Sequence, residues 1–309
     1  MITTVTLNAS IDKAYQMKTP LRNGSVMRVA SCHNTAGGKG LNVARIIRRC
    51  GEQVMTTGLV GGFNGQYLES LLDRDGLAHE FQHISGETRS CINILDEEYG
   101  STEYLEPGCT ITDYEEQQFM QLFATVAHES SIITISGSIP QGLDTGIYER
   151  MVSSVRALNK PVILDTSGEA LKKGLQARPT MVKPNQDELE ALLGKPITGI
   201  AEVIASAKEI HAMGIPYVVV SLGGDGALMV CKDGVFHGKP PKVEVVNTVG
   251  CGDSMVGAFA VALKREYTAP QALQYAVAVA TANALSPHTG DFDPAVFDKI
   301  YDKINIETL

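Results

Sequence analysis

The chain has 309 residues, 44% of them apolar and 20% charged, so it can bury one large α/β core and has no compositional bias toward disorder. A formal net charge of −9 argues against nucleic acid or an anionic membrane surface as a general partner, so an anionic ligand must be met by local cations. Six scattered cysteines with no Cys-x-x-Cys pair, no leader-like segment and no apolar run near about 20 residues give the expectation of a reduced, cytoplasmic protein.

Residues 2–7 open the chain as an expected strand. Ala36-Gly37-Gly38-Lys39-Gly40-Leu41-Asn42 then places glycines and a cation at the start of a helix that carries Leu41, Ala44 and Ile47 on one face. Such a start can cradle an anionic or hydroxyl-rich ligand, or can be a plain turn. It is not a Walker loop, because no Gly-Lys-Ser/Thr follows at the required spacing. Residues 13–33 and 78–106 are short, strand-like and turn-rich, and are expected to form a small β lid that is discontinuous in sequence. His79-Glu80-Phe81-Gln82-His83, inside the second segment, spells a zinc-protease motif. That motif works only on a helix, and Asp75-Gly76 before it and Gly86 after it predict a strand-like piece instead.

From about residue 130 onward, β-branched runs alternate with helical segments, the rhythm of a parallel sheet covered on both faces. Strands are expected at residues 132–136, 162–165, 181–183 and 217–221, and helices near 145–158, 187–193 and 200–213. In an open sheet of this kind, ligands bind beyond the carboxyl ends of the strands. Val182-Lys183-Pro184-Asn185-Gln186-Asp187-Glu188 is one such loop; Asn185 and Glu188, three apart, suit either a water-ligated magnesium ion or a capping box. Ser221-Leu222-Gly223-Gly224-Asp225-Gly226 ends another strand in glycines that could admit a nucleotide.

A strand is also expected at residues 243–246, leading into Thr248-Val249-Gly250-Cys251-Gly252-Asp253-Ser254 at the mouth of an apolar helix. A turn of that composition points N–H groups outward at the positive end of the helix dipole, where phosphate oxygens bind. Asp253 would face the same point, which suits a general base; an ordinary N-cap is the plain alternative.

These loops together resemble the ribokinase-like (PfkB) carbohydrate kinases over nearly the whole chain. The carrying motifs are Gly-Gly-Lys-Gly-x-Asn at residues 37–42, Asn-x-x-Glu at 185–188, Ser-Leu-Gly-x-x-Gly at 221–226 and Gly-x-Gly-Asp at 250–253. Within that family the chain is similar to the ketohexose-monophosphate branch, the fructose-1-phosphate and tagatose-6-phosphate kinases. That likeness rests on Thr6-Leu7-Asn8 with Asp12, the run of residues 35–43, Gly86-Glu87-Thr88-Arg89 and the run of residues 102–108. Ala9 stands where the family usually has proline, and Cys251 where alanine or serine is usual; neither change removes a side chain that does chemistry.

The resemblance implies a three-layer α/β/α sandwich over residues 1–309 with a mostly parallel central sheet and a β lid. It implies ATP and Mg²⁺, with Asp253 as the base and the amides of Gly250, Cys251 and Gly252 as the anion hole. Asp12, Asn42, Gly37 and Gly38 would hold the sugar hydroxyls, and Lys39, Arg89 and Arg28 its phosphate. Lys183, Asn185 and Glu188 would arrange Mg-ATP, with Glu188 reaching the ion through water. Ser221, Gly223 and Gly226 would line the nucleotide site, with Asn283 near the adenine. It also implies a homodimer through the lid, with Arg28 supplied to the neighbouring subunit. Fructose 1-phosphate leads among the acceptors, with tagatose 6-phosphate and fructose 6-phosphate as alternatives. A dehydrogenase is disfavoured by the missing Gly-x-Gly-x-x-Gly after the first strand. A non-catalytic sugar-binding protein is disfavoured by the presence of Asp253 with Asn185-x-x-Glu188.

Overall fold

The computed structural model describes residues 1–98 and 100–309. Among these, ten strands form one sheet, in the order Asn305–Thr308, Gly234–Lys239, Ala227–Cys231, Tyr217–Ser221, Met181–Val182, Val162–Asp165, Ile132–Ser136, Ile2–Thr6, Val54–Gly61 and Ala78–Ile84. From Tyr217–Ser221 to Ala78–Ile84 the pairing is parallel throughout; the strands Ala227–Cys231, Gly234–Lys239 and Asn305–Thr308 add an antiparallel edge.

The central strands are apolar at successive positions because both faces are covered. Ile163 and Val219 enter one core, while Leu164 and Val220 enter the other. Helices Lys39–Arg49, Gly62–Arg74, Cys251–Lys264, Ala269–Ala284 and Pro294–Tyr301 cover the first face. Asp113–Glu129, Ile147–Ala157, Gly168–Gln176, Gln186–Leu193 and Ile200–Ala212 cover the second. The result is the three-layer sandwich expected from the alternating pattern. None of the described helices is long and apolar enough to cross a membrane.

A second sheet rises from the carboxyl end of Ile2–Thr6. Its strands run in the order Val29–Gly37, Ser10–Met17, Arg89–Asp96 and Gly100–Leu105. The outer part of Val29–Gly37 is exposed and its last two residues are buried, so the lid is rooted at the glycine cluster that starts the next helix.

Two expectations are corrected. Residues 78–84 do not belong to the lid: Ala78–Ile84 pairs in parallel with Val54–Gly61 at the edge of the large sheet, because Phe81 turns inward into the core. The strand expected at residues 243–246 is an open loop, with Val245 51% and Val246 60% exposed. Pro240 and Pro241 end the ladder just after Lys239 by removing two backbone donors.

Candidate active site

The helix Cys251–Lys264 begins at Gly250, whose φ of 79° lies in the left-handed region that glycine adopts without a steric penalty. A Cβ at this position would also lie 2.6 Å from Thr289 Cγ2. Ser254 is the first residue to close a helical bond, donating to Gly250 O at 2.8 Å. The Cys251 amide makes only a long 3.4 Å turn contact to Thr248 O, and the amides of Gly252 and Asp253 precede any i−4 carbonyl of the helix. Lys183 sits beside this start: its Nζ would lie 3.3 Å from a Cβ on Gly252. Cation, helix dipole and unpaired amides therefore favour an anion at one point.

Asp253 is buried in the first turn of that helix and accepts a hydrogen bond from Asn42 Nδ2 at 2.9 Å. Burial, reinforced by the nearby Asp165 carboxylate, pushes its carboxyl up to about 6, against Lys39, the Asn42 bond and Lys183. A carboxylate tuned toward neutrality is what proton abstraction from an alcohol requires. The two helix starts meet because Gly257 lets the helices Lys39–Arg49 and Cys251–Lys264 pack closely.

Asp165, at the end of the strand Val162–Asp165, is a site residue that the sequence reading passed over. Its side chain is fully buried between Lys183 Nζ, 3.3 Å from Oδ1, and Lys39 Nζ, 3.4 Å from Oδ2. Burial opposes its charge, yet the two ammonium groups hold it below the usual carboxylate range. Asp165 in turn raises Lys39, outweighing the effect of burial on that ammonium. The available signal was its position: a carboxylate ending a strand of a parallel sheet.

On the lid side, Asp12 lies against Gly37, where a Cβ would fall 2.0 Å from both Cγ and Oδ1 of the aspartate. Ser10 Oγ donates to Asp12 Oδ1 at 2.6 Å. Burial raises the Asp12 carboxyl, opposed by that bond and by Arg45 and Arg89. Gly38, φ 117°, turns the chain from the lid into the helix. Arg89 donates from Nε and Nη2 to Asn8 O at 3.2 and 2.9 Å, and from Nη1 to Glu106 O at 2.8 Å. Three of its five N–H groups are thereby committed, leaving two for a ligand.

A cleft of about 1700 Å³ runs through these groups and is larger than the pocket of one small ligand. Its wall includes Asp12, Gly38, Lys39, Asn42 and Arg89 on the lid side, and Lys183, Asn185, Glu188 and Ser221 on the other. Gly250, Gly252 and Asp253 lie on the same wall. Gly37 and Cys251 stand just behind it. Arg28 is exposed on the lid and is not brought to the cleft within its own chain.

Asn185 and Glu188 form the capping box that their spacing allowed: Glu188 N donates to Asn185 Oδ1 at 2.7 Å, and Asn185 N donates to Glu188 Oε2 at 2.9 Å. Gly223 and Gly226 lie outside the cleft wall. Gly226 serves the turn, since a Cβ there would meet Gly238 O at 2.0 Å. Asn283, expected near the adenine, is not on the cleft wall. It is fully buried, donating to Val249 O at 3.2 Å and accepting from the amides of Gly290 at 3.0 Å and Asp291 at 3.3 Å. Its amide braces the loop before the anion site, which periodicity alone could not reveal.

His79 and His83 lie on the edge strand Ala78–Ile84, not on the helix that the zinc-protease motif needs, and each imidazole is engaged by a carboxylate of the neighbouring helix, His79 Nε2 with Asp73 Oδ1 at 3.2 Å and His83 Nε2 with Glu69 Oε1 at 3.1 Å. Among the described residues no group of three ligating side chains forms a metal cluster.

A model of the pfkB family carbohydrate kinases matches residues 5–295. The crystal structure of phosphofructokinase-2 from Escherichia coli with potassium superposes at a TM-score of 0.92, with 31% identity and 98% of each chain covered. The same bacterial enzyme in complex with fructose-6-phosphate gives 0.90 at 30% identity, again over 98% of each chain. A possible 1-phosphofructokinase from Thermotoga maritima gives 0.91 at 25% identity, covering 100% of this chain and 99% of its own.

Proposed function

The chain belongs to the pfkB family of carbohydrate kinases, and on that premise we propose that it transfers the γ-phosphoryl group of ATP to the free primary hydroxyl of a ketohexose monophosphate, giving a 1,6-bisphosphate. One observation carries this reading. A buried carboxylate near neutrality and the unpaired amides of a helix start share a cleft wall with sugar-type groups on one side and Lys183, Asn185 and Glu188 on the other.

In the reaction, Asp253 accepts the proton of the acceptor hydroxyl. The freed oxygen bonds to the γ-phosphorus, and the bond from that phosphorus to the bridging oxygen breaks, its electron pair leaving on ADP. The amides of residues 250–252, with Lys183 and Lys39, stabilise the charge on the moving group. Asp12, Asn42 and the main chain at residues 37–38 orient the sugar, and Arg89 meets the phosphate it already carries. The residues suit a magnesium ion carried by the nucleotide, which takes one or two carboxylates with phosphates and water: Glu188 Oε1 has no part in the capping box. Bound there, the ion would offset charge on the phosphates.

Fructose 1-phosphate is favoured by the sequence motifs, and fructose 6-phosphate by the likeness to phosphofructokinase-2. Comparing kcat/KM for these two and tagatose 6-phosphate with Mg-ATP tests the assignment. Turnover of none of the three would overturn it, and binding of a sugar phosphate without ADP formation would instead favour a non-catalytic sugar-binding protein.

The working form is a cytoplasmic homodimer joined through the lid, where Val26, Tyr104 and Leu105 are exposed and Arg28 can extend into the neighbouring site. A monomeric sedimentation coefficient at assay concentration would contradict that form.

A further inference from the structure

Arg45 has no role in the reaction as described, yet it joins both halves of the site. It lies one helical turn beyond Asn42, with its side chain 15% exposed. Nη1 donates to Asn42 Oδ1 at 3.1 Å, Nη2 donates to Ala36 O, and Nε donates to Asp75 Oδ2 at 3.3 Å. The Asn42 amide has two faces and could be turned either way about its last torsion. With a guanidinium on one side and the Asp253 carboxylate on the other, one orientation makes two hydrogen bonds. The reverse sets N–H₂ against a donor and oxygen against an anion.

We propose that Arg45 is a positioning residue for phosphoryl transfer: by donating to Asn42 Oδ1 it locks the Asn42 amide with Nδ2 toward Asp253, and by donating to Ala36 O it fixes the strand end that carries Gly37 and Gly38. The inference rests on Asp253 being the base. Its chemistry is that of the planar guanidinium fork, whose three nitrogens reach Asn42 Oδ1, Ala36 O and Asp75 Oδ2 from separate, fixed positions, where an ammonium group offers a single point.

Asp253 faces Asp165, Lys39 and Lys183 in addition to Asn42, and Arg45 faces Asp75 and exerts its charge on Asp12. Asp75 is also held by Arg74, whose Nε is 3.7 Å away, and its carbonyl accepts from Arg48 Nη1. Arg45 is thus anchored at its outer end and presents its inner nitrogens to the site. An ordinary half-exposed ion pair would contribute about 0–1 kcal/mol to stability and nothing to proton transfer.

The two roles separate in a pH profile. Losing the Asn42 donor removes stabilisation of the charged form of Asp253, so the acidic limb of kcat/KM must move to higher pH. The experiment compares wild type, Arg45→Met, Arg45→Lys and Asp253→Asn with Mg-ATP and whichever of the three ketohexose phosphates turns over fastest. Arg45→Met is expected to lower kcat/KM at least about tenfold and raise the limb by about half a pH unit or more, with KM for ATP within about twofold. Arg45→Lys, which keeps the charge opposite Asp75, should show the same upward movement, and it alone decides the matter if Arg45→Met does not fold. A limb that stays in place in the folded variant overturns the proposal while leaving the kinase assignment intact, provided Asp253→Asn is inactive. Normal turnover by Asp253→Asn would overturn both.

Discussion

Asn42 Nδ2 donates to Asp253 Oδ2 across 2.9 Å, joining a residue at the start of one helix to a residue at the start of another. The two helices come close enough at Gly257, where a Cβ would lie 2.8 Å from Ile46 Cγ2 and 3.0 Å from Val43 O. The proposed base and the proposed sugar loop therefore form one mechanical unit whose spacing is set by a glycine one turn further along the helix. Gly257→Ala is expected to push the helices apart, costing about 1–3 kcal/mol of stability and a larger share of kcat than of ATP binding. Urea unfolding and steady-state kinetics on the same variant check this, and an unchanged kcat would show that the spacing is not transmitted to the site.

Asp253→Asn should retain the fold and ATP binding but lose at least about a hundredfold in kcat. Its effect on stability has the opposite sign. Burial raises the folded-state value to about 6, above the unfolded value, so the native state binds the extra proton between those limits and stability falls as pH rises through that window. Removing the carboxyl should therefore stabilise the protein at pH 7 by on the order of 1 kcal/mol, with the advantage fading below about pH 4. Unfolding curves at the two pH values test the sign; destabilisation at pH 7 would mean that Asp253 is held charged by partners stronger than Asn42 and the two lysines.

Gly37→Ala introduces a methyl group where the Asp12 carboxylate now lies, 2.0 Å from its Cγ. The aspartate must leave, and a displacement of about 1 Å can cost about a hundredfold in a positioned reaction. The sugar-phosphate KM should rise about tenfold or more while KM for ATP barely changes, because the nucleotide side of the cleft lies across Asp253. Equal effects on both constants would move Asp12 out of the sugar site.

The layers of the fold were legible because parallel strands buried on both faces leave unbroken β-branched runs: Tyr217–Ser221 and Val162–Asp165 end at the residues expected. Residues 243–246 mislead because three valines in four residues look alike in a ladder and in a loop, and the adjoining prolines decide against the ladder. Ala78–Ile84 carries no local mark that distinguishes an edge strand of the large sheet from a strand of the lid. Glycine-rich loops announced the cleft, since backbone that approaches a ligand or a carboxylate closely excludes Cβ atoms. Asn283 and Asp165 find partners 34 and 126 residues away, and Arg45 joins Asn42, three residues back, to Asp75, 30 residues on; no local spacing records these links.

Asp165→Asn should be the most informative stability variant. The wild-type carboxyl is held below its ordinary value, so its contribution is present above the unfolded value and is lost as pH falls through the folded one. The variant leaves the Lys183 ammonium, 5% exposed, without its counter-ion, at an expected cost of about 3 kcal/mol near pH 7. The gap to wild type should narrow below about pH 4, as the wild-type pair is itself protonated. Activity gives a second reading. Removing a negative charge beside Asp253, and leaving two lysines unneutralised, favours the charged base, so the acidic limb of kcat/KM should move to lower pH. Titration of kcat/KM from pH 5 upward checks the direction; an upward movement would mean that Asp165 acts on the base through geometry, with the lysines displaced from the site, and not through its charge.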